Sequence, residues 1–212
     1  METSSPRWRR RKDARPQEIL EAALTCFAEK GFAAARMDDI AERAGVTKGT
    51  IYLYFENKEA VFKALVRESI GVRVGQVLED VQAFNGPAAE LLRMILSTVG
   101  QFLHTSDRVV LPKIILAEAG NFPELARFYR EEIIDRGLAA MSTVITRGIA
   151  RGEFREVDPQ HAARLCIAPI LLAAVWRTTF AQFDTQPYDY QGFLDTHLDT
   201  LLRGFAPDGG AQ

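Results

Sequence analysis

Apolar side chains recur every three to four residues through most of the chain, which is the period of an amphipathic α-helix. In the first such segment they are Ile19, Ala22, Ala23, Cys26 and Phe27. Glycine, proline and asparagine separate this segment from later ones of the same kind, and they are residues that end or begin helices. No segment shows the alternation of a β-strand, so the pattern predicts an all-α fold of about nine helices.

The helix limits follow from capping signals. The first helix is predicted to begin at Pro16 and to end before Gly31, where a positive φ is expected. A short second helix covers about 37–44, and Thr47 is the predicted N-cap of a third that runs to about residue 55. The six later helices are predicted to begin just after Asn57 and near Pro87, Val109, Pro123, Pro159 and Pro187. Asn57 and Asp158 are the predicted N-caps of the fourth and eighth helices.

Residues 37–55 read MDDIAERAGVTKGTIYLYF and meet the physical requirements of a helix-turn-helix. Two short helices must cross closely, turn tightly and present polar side chains to a DNA groove. Ala41 is small at the expected crossing, Gly45 can adopt a positive φ in the turn, and Ile40, Val46 and Ile51 supply apolar contacts. The face left for DNA carries Lys48, Gly49, Thr50, Tyr52 and Tyr54.

The stretch 18–68 closely resembles the DNA-binding domain of TetR-family (tetracycline-repressor-like) regulators. The matching pieces are ILEAALTCFAEKGF and DDIAERAGVTKGTIYLYFENKEAVF. The resemblance implies that residues 16–60 form the DNA-binding domain and that the third helix enters the major groove. It also implies that residues 61–206 form a helical domain for ligand binding and dimerisation.

Carried over position by position, the resemblance implies a set of DNA contacts. These are Arg36, Thr47, Lys48, Gly49, Thr50, Tyr52, Tyr54 and Lys58. Arg36 departs from the family, which often has Ser or Thr there as a cap of the second helix; arginine cannot cap in that way but can reach a phosphate. Two alternatives stay open: the tyrosines can simply pack the domain, and Lys48 can be a solvated surface residue.

The predicted ligand-binding region contains aromatic and polar candidates for a pocket. They are Phe102, His104, Glu118, Phe122, Phe128, Trp176, Arg177 and Phe180. Each aromatic can equally be plain core, and His104 can be a surface or capping residue. An acid such as Glu118 beside a pocket would favour a cationic ligand. The segment LPKIILAEAGNFPELARFYREEI resembles regulators of efflux pumps, which favours drug-like or lipophilic effectors.

The run from Leu165 to Trp176 is apolar on almost every side, so a helix formed there needs cover all round. The resemblance implies that the last two helices of two subunits form a four-helix dimer interface. The interface residues expected from it are Leu165, Ile170, Ala174, Leu194, Leu198 and Leu201. A dimer would also place two recognition helices about one DNA turn apart, which suits a palindromic operator.

Charge distinguishes the ends of the chain, although the formal net charge is only −2. Residues 1–16 hold six basic and two acidic side chains, whereas residues 71–212 hold 13 basic and 17 acidic ones. Residues 1–15 are therefore predicted to form a flexible basic arm, which either lies in a minor groove or stays a solvated tail. Residues 207–212 are predicted to be a disordered tail.

Several classes of protein are disfavoured by composition. No secretory signal is present, and the longest apolar run, 165–176, is shorter than the roughly 20 residues of a membrane span. A cytoplasmic protein without a membrane partner is expected. Cys26 and Cys166 fit small buried residues of a reducing compartment, with a disulfide as the alternative. Scattered histidines offer no metal set, cofactor site or catalytic pair, so no enzymatic activity is expected.

Together these observations predict a homodimeric repressor that leaves its DNA operator when a small lipophilic effector binds the C-terminal domain. The alternatives are an activator, and a nucleoid-associated or adaptor protein that binds DNA without an effector.

Overall fold

The computed structural model describes residues 7–207, with side chains from Arg15 onward. Within that range every regular element is helical, and the all-α prediction is confirmed. Nine helices result in this range when each α-helix is counted together with any π-helical turn continuous with it and the two short 3₁₀ turns are left out. The first five are α1 (Arg7–Ala34), α2 (Met37–Arg43), α3 (Lys48–Tyr52), α4 (58–83, with a π-helical turn at Arg67–Gly71) and α5 (Ala88–Thr105).

The remaining four helices begin at or within a few residues of their predicted starting positions. They are α6 (Val110–Glu118), α7 (123–150, with a π-helical turn at Arg130–Asp135), α8 (Pro159–Thr179) and α9 (Tyr190–Phe205). Asp158 caps α8 by accepting hydrogen bonds from two backbone N–H groups, and Pro159 occupies its first turn, as the sequence predicts.

Helix α1 begins at Arg7, nine residues before the predicted start at Pro16. The Arg, Lys and Ala residues before Pro16 are good helix formers, and they extend the helix through a proline that cannot donate its backbone hydrogen bond. At the other end, Gly31 has the expected positive φ, 73°. Residues 1–6 of the predicted basic arm and 208–212 of the predicted tail lie outside the described residues.

The chain forms two compact units. The first contains the residues up to Ser69 together with Val110–Tyr129, and the second contains Ile70–Val109 and the residues from Arg130 onward. This grouping differs from the predicted division at residue 60, because α6 packs against α1 and the start of α7 packs against α4. Sequence periodicity identifies such helices but not the neighbour against which each one packs.

An aromatic cluster forms the core of the first unit. Phe27, Phe32 and Phe62 are at most 1% exposed, and their ring centroids lie 5.4–5.9 Å apart. Phe122 packs edge-on against Phe32 at 4.9 Å. Burial of this much aromatic surface stabilises the helices that pack around the cluster.

The core of the second unit is formed by α5, α7, α8 and α9. It contains four residues predicted to lie in the dimer interface, and all four are at most 2% exposed: Ile170, Ala174, Leu194 and Leu198. Their own subunit covers these side chains, so this part of the interface stays a prediction that their burial does not favour. The two free cysteines, Cys26 and Cys166, are both buried, as predicted.

Helix α8 is apolar enough by length and composition to cross a membrane, and it is the one such helix among the described residues. A core helix of a soluble protein has the same composition. Here α8 packs against α5, α7 and α9, which cover part of its apolar surface.

Candidate functional site

Helices α2 and α3 form the predicted helix-turn-helix. Ile40, Ala41 and Ile51 are buried where the two helices meet. Gly45 has a φ of 64° in the turn between them, and the Val46 N–H donates to the Ala41 carbonyl at 3.0 Å. The tight turn therefore depends on a backbone conformation that other residues rarely adopt.

The start of α3 is fixed by a side-chain cap. The Thr47 hydroxyl accepts from the Thr50 N–H at 3.2 Å, and the two threonine hydroxyls are 2.8 Å apart. The predicted N-cap is confirmed. Helix α3 ends at Tyr52, three residues earlier than predicted, so Tyr54 lies in the following turn and is half-buried.

The outer face of α3 is exposed and polar. Tyr52 is 46% exposed. Lys48 is exposed too, and its ammonium forms an ion pair with Asp38 of α2 at 2.9 Å. The hydrogen bond to Asp38 raises the pKa of Lys48 above its ordinary value, so this lysine stays charged at neutral pH. Both partners lie in solvent, where such a pair is weak and easily exchanged for another anion.

Gly49 lies in open space on the same face. A Cβ atom added there would meet only the Thr47 hydroxyl oxygen, at 3.9 Å. Nothing in the described residues therefore requires glycine at this position. An external surface that approaches the backbone closely would require it.

Arg36 precedes α2 in an extended conformation, and its side chain makes no cap hydrogen bond. Its backbone N–H instead donates to the Asp39 carboxylate at 3.1 Å, and Asp39 also pairs with Lys30 at 2.9 Å. The hydrogen bond to Lys30 and that from the Arg36 backbone lower the pKa of Asp39. The guanidinium of Arg36 is exposed on the surface that α3 shares.

Lys58 has a role that the sequence did not reveal. Its ammonium donates to the carbonyls of Phe32, Ala33 and Ala35 at 2.6, 2.8 and 3.2 Å, at the C-terminal end of α1. It also lies 4.7 Å from the centroid of the Phe32 ring. Burial lowers its pKa, and the carboxylates of Glu118 and Glu59 oppose that shift. All three ammonium donors therefore serve internal carbonyls, which disfavours a direct phosphate contact.

These residues border a shallow basic cavity of about 490 Å³ in the first unit. Three cationic side chains line it, from Arg36, Lys48 and Lys58, against one acidic side chain from Asp38. The excess of positive charge beside the exposed α3 face suits the phosphate backbone of DNA.

The predicted pocket residues do not form one group. Glu118, Phe122 and Phe128 belong to the first unit, whereas the other five belong to the second. Glu118 accepts a hydrogen bond from Asn121, and Phe128 lies under the cation of Arg67, 4.8 Å from its ring. Each of these three residues therefore has a partner within the first unit.

The second unit brings His104 and Arg177 close together. The His104 ring stacks on Tyr190 with centroids 4.2 Å apart, and Arg177 donates to the Leu103 carbonyl at 3.4 Å. Burial and the positive charge of Arg177 lower the pKa of His104. Tyr190 was not among the sequence candidates, although it is 2% exposed and donates to the Gly100 carbonyl at 2.8 Å.

An exposed apolar stripe runs along α8. Leu165, Leu172 and Trp176 are 64%, 63% and 40% exposed, at a spacing that places them on one helical face. An apolar cavity of about 420 Å³ opens beside them, lined by Pro169, Leu172, Trp176, Tyr188 and Phe193 among others. Of the predicted interface residues, Leu165 is on this stripe and Leu201 of α9 is half-buried.

Comparison with known proteins covers both units. Residues 19–65 match the family model of bacterial regulatory proteins of the tetR family, and residues 85–185 match that of tetracyclin repressor-like C-terminal domains. The Bacillus subtilis fatty acid metabolism regulator protein is 29% identical over 195 residues, covering 91% of this chain and 97% of that protein.

Two solved structures are also similar over nearly the whole chain. The Bacillus subtilis transcriptional regulator FadR, in complex with stearoyl-CoA, is 28% identical with a TM-score of 0.69, covering 89% of this chain and 98% of FadR. The SmeT–triclosan complex is 26% identical with a TM-score of 0.77, covering 92% and 93%. SmeT is the repressor of the Stenotrophomonas maltophilia multidrug efflux pump SmeDEF.

Regulators of this family are soluble proteins that bind DNA operators and small-molecule ligands as dimers, and they are not enzymes. The helix-turn-helix, the second helical unit and both family matches are all features of such a regulator. The chain belongs to the tetR family of bacterial regulatory proteins and is a ligand-responsive, DNA-binding repressor.

Proposed function

We propose that a homodimer of this chain represses transcription from a palindromic operator and is released from it by a lipophilic effector bound in the second unit. The observation that carries the DNA half is the α3 face, where Lys48, Gly49 and Tyr52 are exposed beside a basic cavity. Thr47, Thr50, Tyr54 and Arg36 complete the proposed contact set. Lys58 supports it from within, by holding the end of α1 in place.

The proposed DNA contacts divide by chemistry. Lys48 and Arg36 are cations suited to phosphate oxygens, and Tyr52 offers a ring to a thymine methyl and a hydroxyl to a phosphate. Gly49 permits the backbone of α3 to approach the groove. On binding, Lys48 exchanges its ion pair with Asp38 for DNA, so part of its attraction to phosphate is offset.

The proposed dimer interface uses the exposed stripe of α8 rather than the buried residues of the unit. Leu165, Leu172 and Trp176 supply an apolar face that a second copy can cover by two-fold symmetry. We expect Leu172→Glu to yield monomers in size-exclusion chromatography with light scattering. Leu116→Glu, which is 66% exposed in the first unit, is the matched control and should remain dimeric.

The proposed class of effector rests on two similar proteins whose solved structures contain a bound ligand. FadR is bound to stearoyl-CoA and SmeT to triclosan, and both ligands have large apolar parts. A ligand that prefers one conformation of the dimer weakens DNA binding, and DNA must weaken ligand binding by the same factor. An acyl thioester and triclosan are therefore the first two effectors to test.

The test has two stages. The purified full-length protein is used at moderate salt to select fragments from random DNA, and a palindromic consensus is expected. Stearoyl-CoA and triclosan are then titrated into the complex with a selected fragment, and one of them should release it. Failure to recover any selective fragment would refute the operator proposal. Selective binding that neither compound weakens would instead favour a DNA-binding protein with a different effector or none.

A further inference from the structure

Three buried polar atoms without partners belong to residues near the C-terminal ends of α5 and α8. Among the described residues, five buried side-chain nitrogen and oxygen atoms lack a hydrogen bond. Three of them are His104 Nδ1, Arg177 Nε and Thr179 Oγ1. The other two belong to Arg147, whose guanidinium already donates to the carbonyls of Val81 and Phe84. Native proteins rarely leave such groups unpaired, so each one requires an explanation.

The charge at this place is unbalanced. Arg177 is only half-exposed, and no carboxylate of the described residues forms an ion pair with it. Its one hydrogen bond among the described residues is the long one, 3.4 Å, to the Leu103 carbonyl. A guanidinium is always protonated at ordinary pH, and a partly buried one without a counter-ion is unfavourable. An anion from outside the chain would correct this imbalance.

The cluster is also held in position. His104 is stacked in parallel on Tyr190, with an interplanar angle of 8°. Tyr190 is buried and anchored by its hydroxyl to the Gly100 carbonyl of α5. Burial and the neighbouring Arg177 lower the pKa of His104, so its ring is neutral at pH 7 and Nδ1 can offer a hydrogen bond in one tautomer. The site therefore combines one fixed cation with one neutral hydrogen-bonding ring.

We propose that Arg177, assisted by His104, binds the anionic group of the effector, a carboxylate or a phosphate. The proposal rests on the function proposed above and specifies the chemistry of its ligand: an apolar molecule that ends in, or carries, a negative charge. The Nε–H of Arg177 and one of its terminal N–H groups form the fork that pairs with two oxygens of such an anion. This is opposite to the cationic ligand that Glu118 alone would have favoured.

The experiment compares head groups on one apolar chain. Binding of decanoate, decyl phosphate and decanol to the full-length protein is measured by isothermal titration calorimetry below their aggregation limits. At least one of the two anions should bind about tenfold more tightly than decanol, the effect of one charged hydrogen-bonded pair. The comparison of the two anions distinguishes a carboxylate from a phosphate ligand.

Variants then assign the preference to Arg177. Arg177→Gln should reduce the anion-to-alcohol ratio to about one, and Arg177→Lys should retain part of it. Arg164→Gln is the matched control on the same helix, because Arg164 is exposed and bonds only to the Gln160 carbonyl. It should leave the ratio unchanged. Circular dichroism melts establish whether each variant is folded. If Arg177→Gln is unfolded, the proposal is judged from the wild-type head-group series and from Arg177→Lys.

Equal binding of decanol and both anions overturns the proposal, as does an unchanged preference in Arg177→Gln or no binding of any decyl compound. The operator is tested separately, on protein without effector. Selective DNA binding without a head-group preference refutes the anion site and leaves the repressor intact. A head-group preference without selective DNA binding refutes the proposed operator function and leaves the anion site intact.

Discussion

The recognition surface of α2 and α3 and the polar cluster of the second unit use polar side chains in opposite ways. On the recognition surface the polar groups are exposed and already paired with close neighbours, as Thr47 is with Thr50 and Lys48 with Asp38. In the second unit His104 Nδ1 and Arg177 Nε are buried and unpaired. The first surface can exchange weak contacts for DNA at little cost, whereas the second gains hydrogen bonds that it lacks. This difference suits reversible DNA binding by the first surface and selective effector binding by the second.

The glycines of the two regions also differ in what surrounds them. At Gly49 an added Cβ would meet almost nothing, whereas at Gly100 it would come within 2.9 Å of Leu194, and at Gly148 within 2.3 Å of Phe154. The second and third glycines are required by internal packing. Gly49 is not, so a requirement for it would come from the DNA.

The largest expected effect is loss of operator binding in Tyr52→Ala. The tyrosine is exposed and no buried contact is removed, so the melting temperature and the dimer should be unchanged. One lost base or phosphate contact in each of two subunits should reduce operator affinity by about 100-fold, measured by fluorescence anisotropy with a selected fragment. Lys48→Ala should act in the same direction, with a smaller dependence of affinity on salt.

Met94→Ala is the control for this prediction, because Met94 of the second unit is 40% exposed and lies on α5. It should bind the operator as the wild type does. If Tyr52→Ala and Lys48→Ala both bind the operator normally, α3 is not the helix that contacts DNA. The contrast between the two regions then disappears.

The second prediction concerns Gly49→Ala. Alanine is favoured over glycine in a helix by about 0.5–1 kcal/mol, so the variant should melt slightly higher than the wild type. Operator affinity should nevertheless fall by about tenfold, because the new methyl group separates α3 from the groove. Gly137→Ala is the matched control in α7, where an added Cβ meets nothing within 4 Å. It should gain the same stability and bind DNA normally; equal DNA binding by both variants would contradict the proposed close approach.

These two regions also differ in how far the sequence alone describes them. The caps at Thr47, Asn57 and Asp158 and the positive φ of Gly45 are determined by residues within a few positions of one another, and all were predicted correctly. The DNA-binding surface is likewise one short segment of the chain. Local rules and a family resemblance are sufficient for such features.

Features assembled from distant segments were not accessible in this way. Helix α8 is apolar on every side, so periodicity could not separate the core face of Ile170 and Ala174 from the exposed face of Leu172. In the sequence Lys58 resembles a surface cation, and only the fold brings it to the carbonyls at the C-terminal end of α1. The pairing of His104 with Tyr190 joins positions 86 residues apart, for which the sequence contains no local signal.

The third prediction tests the anchoring of the polar cluster. Tyr190→Phe removes the buried hydrogen bond to the Gly100 carbonyl while the ring stays on His104. Loss of such a bond should reduce the free energy of unfolding by about 1 kcal/mol, measured by urea denaturation. Operator affinity without effector should be unchanged. Tyr188→Phe, whose side chain is only half-buried, should lose less; an equal loss would show that the hydroxyl of Tyr190 has no special role.

The smallest expected effect is a dependence of stability on pH that originates at His104. Burial, and then the charge of Arg177, hold the pKa of His104 below its ordinary value, which the unfolded chain retains at about 6.5. Below that pH the unfolded state takes up a proton that the folded state does not, so the free energy of unfolding must fall as the pH decreases towards the folded pKa. Above it, this contribution is constant.

His104→Gln isolates this contribution, because other groups titrate alike in both proteins. We expect the urea midpoint of the wild type to decrease more between pH 7.5 and 5.5 than that of His104→Gln. Arg177→Gln removes the second cause of the shift and should give an intermediate slope. A bound anion should reduce the slope of the wild type, since it compensates the charge that an imidazolium would otherwise meet. Parallel curves for the wild type and His104→Gln would place His104 in contact with solvent, and the buried polar cluster would then no longer differ from the recognition surface.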